Sequence, residues 1–438
     1  MDKGTSMKLS IKNFARIKEA DIRMDGITVI AGENNTGKST VGKIVFSLFN
    51  ALRHIDKRLD TQREREIYEL CRSSIRVQNR LNLEDGEVMP RTSRISINTA
   101  QEMTNAFVEQ SGHKPFNREA ARKIIEEYFD ENDSNVLFDW DELLDNLSII
   151  MGLTDNQIAS QLVTEYFANI FNDQINSRIF KDVDSAELDL SIRDMVLHVG
   201  FEDDVCSQLK TNLNIEHQAV YIENPFVVDR LQGRFFGYEE LIDRKLLNLM
   251  RGERKGDIAD GVISRILAKE KLEKITATLC NVIDGNIQEN RGTYYYAAEG
   301  LEEPLNLANL STGLKSFVVL KMLIENGALR EKDVLILDEP EIHLHPQWQI
   351  AYAELVVLLQ KYFDLTVIVT THSPYFLDAL DLYAEKHRIH EKMSCYLSVR
   401  DGNEVTMSDV SDNLEAVYSE MASPIQTLDT LRYELNNE

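Results

Sequence analysis

Two spacings of apolar residues alternate along this chain of 438 residues, one near two and one near 3.6, and the switches between them outline its elements. Ile-Thr-Val-Ile-Ala at 27–31 is an unbroken apolar run that predicts a strand buried on both faces, and residues 41–52 carry the amphipathic repeat of a helix. Runs of the same kind at 219–222, 334–337 and 366–370 predict further buried strands. A helix is expected at 347–363, with Trp348, Ala351, Leu355, Leu358, Leu359 and Tyr362 on its inner stripe. Leu188, Leu190 and Ile192 alternate with polar neighbours, and the pattern resumes at 196–199 after Arg193-Asp194, which reads as a hairpin. A second hairpin is expected at 394–410, turning at Asp401-Gly402, with helices at 377–384 and 413–421 beside it. Residues 53–180 read mainly as helix, best at 120–129, 140–150 and 155–170, and 238–283 again as helix with a charged interruption at 251–255. No heptad pattern is sustained, which excludes a long coiled-coil arm.

Between the first buried strand and its helix stands Gly32-Glu33-Asn34-Asn35-Thr36-Gly37-Lys38-Ser39-Thr40, a complete G-x-x-x-x-G-K-[ST] loop. Strand, loop and helix come in the order a phosphate cradle requires. Gly32 and Gly37 let the backbone curl, so that N–H groups from Asn34, Asn35, Thr36 and on to Thr40 can turn toward phosphates. Lys38 adds a point charge, Ser39 offers a hydroxyl to Mg²⁺, and the helix start adds partial positive charge. The expected ligand is a nucleoside triphosphate.

The strand at 334–337 ends in Asp338-Glu339-Pro340, a Walker B arrangement in which Asp338 is the metal-side acid and Glu339 the base that polarises water. The strand at 366–370 runs into Thr371-His372-Ser373-Pro374. His372 thus stands at a strand's carboxyl end, where open α/β sheets bind ligands, and reads as a terminal-phosphate contact, with a core histidine as the alternative. About 22 residues before the Walker B strand, Asn309-Leu310-Ser311-Thr312-Gly313-Leu314-Lys315-Ser316 opens a helical pattern. It reads either as an anion site or as an ordinary N-cap at Ser311.

With these three motifs in this order the chain resembles the ATP-binding-cassette ATPases of the SMC/RecF/OLD group, in which a Leu-Ser-Gly-Gly-Gln signature precedes Walker B and a switch histidine follows. Leu310, Ser311 and Gly313 match the signature; Thr312 replaces its first glycine and Leu314 stands where Gln is common, as in the OLD-like branch. Residues 8–20, with Ile11-Lys12-Asn13-Phe14, are similar to the group's opening strand, and Arg16 falls where a nucleotide-proximal residue is expected. Glu341-Ile342-His343-Leu344-His345-Pro346 is similar to its D-loop, which lines a dimer seam; His343 and His345 lack a third partner at metal-ligand spacing. The resemblance implies an α/β fold, a P-loop ABC-type ATPase head with a mixed central sheet, an antiparallel β arm and a mainly helical insertion. The expected divisions are 7–52, 53–180, 181–300 and 301–438. It also implies ATP and Mg²⁺ as ligands, with Glu339 and His372 catalytic and Ser39 and Asp338 at the metal. Ser311 and Gly313 would reach the nucleotide of a second copy in a head-to-tail homodimer or higher oligomer. Gln78 and Gln232 are candidates for the Q-loop glutamine.

Composition narrows the partners. No apolar run approaches the roughly 18 residues of a membrane span, no secretory leader is evident, and residues 1–6 read as a frayed start or vector scar. Cys71, Cys206, Cys280 and Cys395 are scattered, as expected of reduced thiols in a cytoplasm. A net charge of −25 excludes a protein that coats DNA with its whole surface. Residues 1–80, however, hold 16 Lys/Arg against 10 Asp/Glu, a balance of +6 that leaves −31 for the rest. Arg53, Lys57, Arg58, Arg63, Arg65, Arg72, Arg76 and Arg80 form either a solvated helix face, with Glu64, Glu66 and Glu69, or a local patch for DNA phosphates. Only 66 residues follow His372, and they hold no acidic triad, so the Toprim nuclease domain of OLD enzymes is not expected here. Any nuclease activity would reside in a partner. In style the chain is similar to stand-alone bacterial ATPases paired with a nuclease or toxin in anti-phage systems, such as Septu-like, PARIS-like or retron-linked pairs. The expectation is an ATPase that acts as sensor and scaffold for such an effector, with a RecF-like DNA-binding repair ATPase as the alternative. A small-molecule P-loop kinase would need neither the signature nor the switch histidine.

Overall fold

A computed structural model of the protein describes residues 7–82, 88–111, 116–129, 135–180, 183, 185–231, 240–252, 266, 273, 275, 279, 282–421 and 423–437, without the side chains of 79–82, 88–91, 111, 423–427 and 436–437. The chain opens with an antiparallel hairpin, β1 (Met7–Phe14) and β2 (Ile17–Arg23), whose alternation buries Leu9, Ile11, Ile17, Ala20 and Ile22. β3 (Ile27–Gly32) is buried at every position. Behind the phosphate loop the helix Lys38–Leu52 lies so close to the sheet that a Cβ on Gly42 would stand 2.8 Å from Ile336 Cγ2 and 3.1 Å from the Tyr221 ring.

Residues His54–Gln161 then form a compact unit of their own. Helices Ile55–Ser74, Ile97–Ser111, Arg118–Tyr128 and Trp140–Gly152 bury Ile67, Cys71, Phe107, Ile125, Leu144 and Leu147 in a separate core. The helical expectation missed a small sheet in this unit: β4 (Arg76–Asn82) pairs with β5 (Val88–Arg94) on one side and with β6 (Val136–Leu137) on the other. These strands are mostly polar, so apolar periodicity carries no trace of them. The compact unit itself runs to Gln161. The helix Asp155–Phe171 continues the pattern without a break, but its second half belongs to the other unit, which carries the 11-stranded sheet. There the Phe167 and Phe171 rings lie 5.9 and 4.9 Å from the Phe14 ring, and Phe167 lies 4.8 Å from Phe201.

The remaining chain supplies β7 (Ser185–Ile192), β8 (Met195–Glu202), β9 (Val205–Thr211) and β10 (Ala219–Ile222). A three-stranded side sheet follows, of β11 (Asn286–Asn290), β12 (Thr293–Ala297) and β13 (Leu305–Asn306). β14 (Val334–Asp338), β15 (Thr366–Thr371), β16 (Met393–Asp401) and β17 (Glu404–Asp409) complete the set. One sheet of 11 strands runs β10-β14-β15-β3-β16-β17-β2-β1-β7-β8-β9. Its first five strands are parallel, and β2-β1-β7-β8-β9 form an antiparallel arm. The fold is α/β with a mixed central sheet, as expected. Helices cover both faces of the parallel half, which is why its strands read as continuous apolar runs. Leu335 and Leu337 face the core shared with helices Thr312–Glu325 and Pro346–Phe363, while Ile336 faces the P-loop helix. The hairpins at Arg193-Asp194 and Asp401-Gly402 form as read.

Cys71, Cys206 and Cys395 are buried free thiols, and burial pushes Cys71 and Cys395 up to about 12, so both stay protonated and unreactive. Cys280, and all but Leu241–Met250 and a few further residues of the helical stretch expected at 238–283, lie outside the described residues. Among those described, no helix is long and apolar enough to cross a membrane.

The close seat of Gly42 makes a test of the packing. Gly42→Val is expected to lower stability by about 1–3 kcal/mol through overpacking against Ile336, read as an earlier midpoint in urea unfolding. An unchanged midpoint would show that the helix does not rest on the sheet there.

Candidate functional site

The carboxylate of Asp338 is where the parallel strands and the P-loop helix meet. It is 4% exposed, and its charge is compensated by three hydroxyl donors from three elements. Ser39 of the P-loop helix donates to Oδ1 at 2.9 Å, Tyr221 of β10 donates to Oδ2 at 2.7 Å, and Thr370 of β15 donates to Oδ1. Burial, followed by the nearby Asp338 and Glu223 carboxylates, pushes the Tyr221 phenol well above its ordinary value, so it stays a neutral donor. The sequence pattern marked Tyr221 and Thr370 only as strand residues. The one signal was a hydroxyl-bearing residue near the end of an otherwise aliphatic run.

The loop itself takes the shape its glycines permit. Gly32 (φ 145°) and Gly37 (φ 76°) both lie in the left-handed half of backbone space, and a Cβ on Gly32 would stand 2.5 Å from the Ser398 carbonyl. Ser398 also donates to the Thr36 carbonyl at 2.6 Å, tying the loop to β16. Lys38, buried, donates to the carbonyls of Gly32 (2.9 Å) and Glu33 (2.7 Å), with its Nζ 3.5 Å from Glu339 Oε1. Asn35, Thr36, Gly37, Lys38, Ser39 and Thr40, together with Arg16 and Glu339, line a cavity of about 330 Å³. Gly32 and Asn34 shape the loop without lining it. The oxygens of Ser39 and Asp338 suit Mg²⁺, which takes one or two protein ligands plus phosphate and water. Among the described residues no cluster of His, Cys, Asp and Glu could hold a metal by itself.

Glu339 sits at φ 47°, an unusual conformation for a residue with a side chain, held by its N–H donating to both the carbonyl (3.1 Å) and the hydroxyl (3.0 Å) of Thr370. His372 Nδ1 lies 3.7 Å from Glu339 Oε1 and 3.7 Å from Glu341 Oε1. Glu341 is 2% exposed; its Oε1 accepts from the Thr371 hydroxyl at 2.6 Å and the His372 N–H at 3.0 Å. Burial raises the Glu341 carboxyl above its ordinary value, with these hydrogen bonds and His372 opposing the shift. Glu341, read from sequence only as the start of the D-loop segment, is thus the anchor of the histidine's backbone.

Ser311 and Gly313 are not brought to this cavity within the chain. Ser311 is exposed and caps the helix Thr312–Glu325, accepting from the Leu314 N–H at 3.4 Å, and a Cβ on Gly313 would meet the Trp348 ring at 2.9 Å. His345 caps the helix Pro346–Phe363, and His343 packs edge-on against Phe226. Of the basic segment, Arg53 is taken up by the Glu216 carbonyl and Gln218, and Arg63 by Asp155 and the Leu153 carbonyl. Gln78 lies in β4 of the insertion, and Gln232 lies outside the described residues.

Residues 27–378, most of the chain and the whole span from β3 past His372, match the family described as "AAA domain, putative AbiEii toxin, Type IV TA system". The chain belongs to this family. The AAA-domain match joins the P-loop, the Walker B acid and the histidine in one ATPase domain. Solved structures with a similar outline include an SMC head bound to the C-winged helix domain of ScpA, 12% identical over 93% of this chain and 98% of that one, with a TM-score of 0.47. The SMC head domain from Thermotoga maritima is 12% identical over 92% and 98%, with a TM-score of 0.40. The SMC head with an extended coiled coil bound to the ScpA C-terminal domain, derived from Pyrococcus furiosus, is 11% identical over 97% and 98%, at 0.42. At these scores none bears on the function of this AAA-domain chain.

The buried Glu341 of this AAA domain has a pH signature. Its carboxyl is raised from 4.5, so the folded chain holds the proton more tightly than the unfolded one. That contribution to stability is full below the unfolded value and is lost as pH rises through the raised one. Glu341→Gln keeps an oxygen for Thr371 and His372 but cannot titrate. Its melting temperature should fall less than that of the wild type between about pH 5 and pH 8; parallel curves would remove Glu341 as the source.

Proposed function

We propose that this AAA-domain chain binds and hydrolyses ATP with Mg²⁺, closes on a second copy of itself, and thereby controls a separate nuclease or toxin in anti-phage defence. The observation that carries the catalytic part is the meeting of Ser39 and Asp338, 299 residues apart in sequence and 2.9 Å apart in the fold, with Lys38 and Glu339 beside them. Ser39 and Asp338 would hold the Mg²⁺, which neutralises phosphate charge during phosphoryl transfer. Lys38, the loop N–H groups and the helix start bind and orient the β- and γ-phosphates. Glu339, held by Thr370 at the rim of the cavity, takes the proton of the attacking water. His372, anchored by Glu341, contacts the terminal phosphate.

Ser311 at a helix start is suited to a partner's nucleotide, because the residue is exposed and a helix start carries partial positive charge. In the head-to-tail arrangement proposed, each copy supplies a P-loop and receives the other's Ser311 and Gly313. The family's description names a toxin of a type IV toxin–antitoxin system. That setting supports a two-component reading; the choice of the ATPase as the controlling half is our own.

Lys38→Ala is expected to abolish ATP binding by isothermal titration, whereas Glu339→Gln should bind ATP and lose turnover by at least about 100-fold. Full turnover in Glu339→Gln would remove Glu339 as the base. Ser311→Arg should leave ATP binding intact and block the ATP-dependent shift from monomer to dimer in light scattering. An ATP-dependent dimer in that variant, with normal turnover, would exclude sharing of the site in trans. Glu339→Gln used as bait with ATP should retain a stoichiometric nuclease or toxin; recovery of DNA alone would favour a repair ATPase.

A further inference from the structure

We propose that the β4–β5 hairpin of the insertion binds the phosphodiester backbone of nucleic acid, with Arg76 and Arg94 as its phosphate contacts. This does not depend on the effector reading. The strands Arg76–Asn82 and Val88–Arg94 contain Arg76, Arg80, Arg91 and Arg94 and no carboxylate, in a chain whose net charge is −25. Arg76 and Arg94 stand directly opposite each other in the ladder. That places their Cβ atoms about 4.5–5.5 Å apart on one face. Val77, the next residue along, packs toward the insertion core and pairs with Val136, so the arginine pair is on the outward face. Both arginines are exposed, and among the described residues no carboxylate pairs with either.

Like charges directly opposite on a ladder oppose the pairing of the strands. An anion set between the two guanidinium forks relieves that repulsion, and phosphate oxygens match the fork geometry. Arg80 occupies the same-face register position four residues beyond Arg76, about 13 Å along the strand, so the basic positions form a line rather than a point. A line of cations fits a polymer of phosphates. On the other side of Arg76 the row continues to its β6 partner Leu137, which is 46% exposed. Free phosphate makes no use of an apolar neighbour, whereas a nucleotide brings a sugar and a base beside each phosphate. Arg53 and Arg63, both held by protein partners, are not part of the site.

The test uses the full chain and fluorescence anisotropy with labelled duplex DNA, single-stranded DNA and RNA of one length, titrated between about 50 and 200 mM salt. Neutralising both arginines, Arg76→Gln with Arg94→Gln, is expected to weaken binding at least about tenfold and to reduce the salt slope of log K by about 1.4–1.8, two contacts' worth. Arg76→Lys with Arg94→Lys should keep most of the slope. The three probes identify which nucleic acid presents the backbone. Equal slopes in wild type and the Gln pair would overturn the site, as would equal affinity for polyglutamate of similar length, or no binding by the wild type at low salt. Relief of the like-charge pair predicts that the Gln variant melts no lower than wild type, which separates a lost contact from a lost fold. Should it melt lower, Arg94→Gln alone is read against Arg94→Lys, with a slope change of about 0.7–0.9 expected and none overturning the proposal.

Discussion

A single buried negative charge organises the ATPase unit. Placing the Asp338 carboxylate at the end of a strand covered on both faces is costly unless donors surround it, and hydrogen bonds to a charged group recover about 1.5–3 kcal/mol each. The donors come from β10, β15 and the P-loop helix, so their hydroxyls arrive only when Tyr221 aligns with Ile336 and Asp338 with Thr370 in the two flanking ladders. A one-residue slip would turn each hydroxyl to the opposite face of the sheet. The demands of one carboxylate and the burial of aliphatic strands thus select the same register. Ser39 stands at the junction of both, a partner of the acid and an oxygen facing the cavity.

Much of this was legible in the sequence wherever a single physical requirement dominates a position. The parallel strands announce themselves because helices cover both of their faces, and the loop because its backbone enters regions that glycine tolerates. Tyr221 and Thr370 were not legible as site residues, since tyrosine and threonine are also ordinary strand formers and their meaning arises from neighbours far away in sequence. The β4–β5 hairpin escaped for the opposite reason: Val77 packs on the insertion core, but the apolar residues of the two strands do not alternate regularly with polar ones. The unit boundary at Gln161 falls inside the continuous helix Asp155–Phe171, so apolar periodicity carries no mark of it.

Of the two readings of the signature motif, the structure shows the N-cap. Ser311 caps a helix, and Gly313 is small because the Trp348 ring fills the space a side chain would need. The cap takes up the Leu314 N–H and the Ser311 carbonyl accepts from the Lys315 N–H, so these groups of the helix start are satisfied within the chain. The backbone of His372 is fixed by a buried acid while its ring remains 44% exposed between two carboxylates.

The position of β3 between β15 and β16 has a consequence for the order in which the protein can be built. The strand that carries the phosphate loop leaves the ribosome well before either of its sheet neighbours, both of which lie beyond residue 365. At translation rates of about 5–20 residues per second, that strand waits on the order of half a minute before either partner exists. During that interval Ile27–Gly32 is an aliphatic segment with two unpaired edges, whereas the contiguous unit His54–Gln161 can already assemble its own core. The phosphate loop therefore cannot gain its sheet support until residues 366–401 have been made, and a chain released earlier would hold that loop beside an open sheet edge.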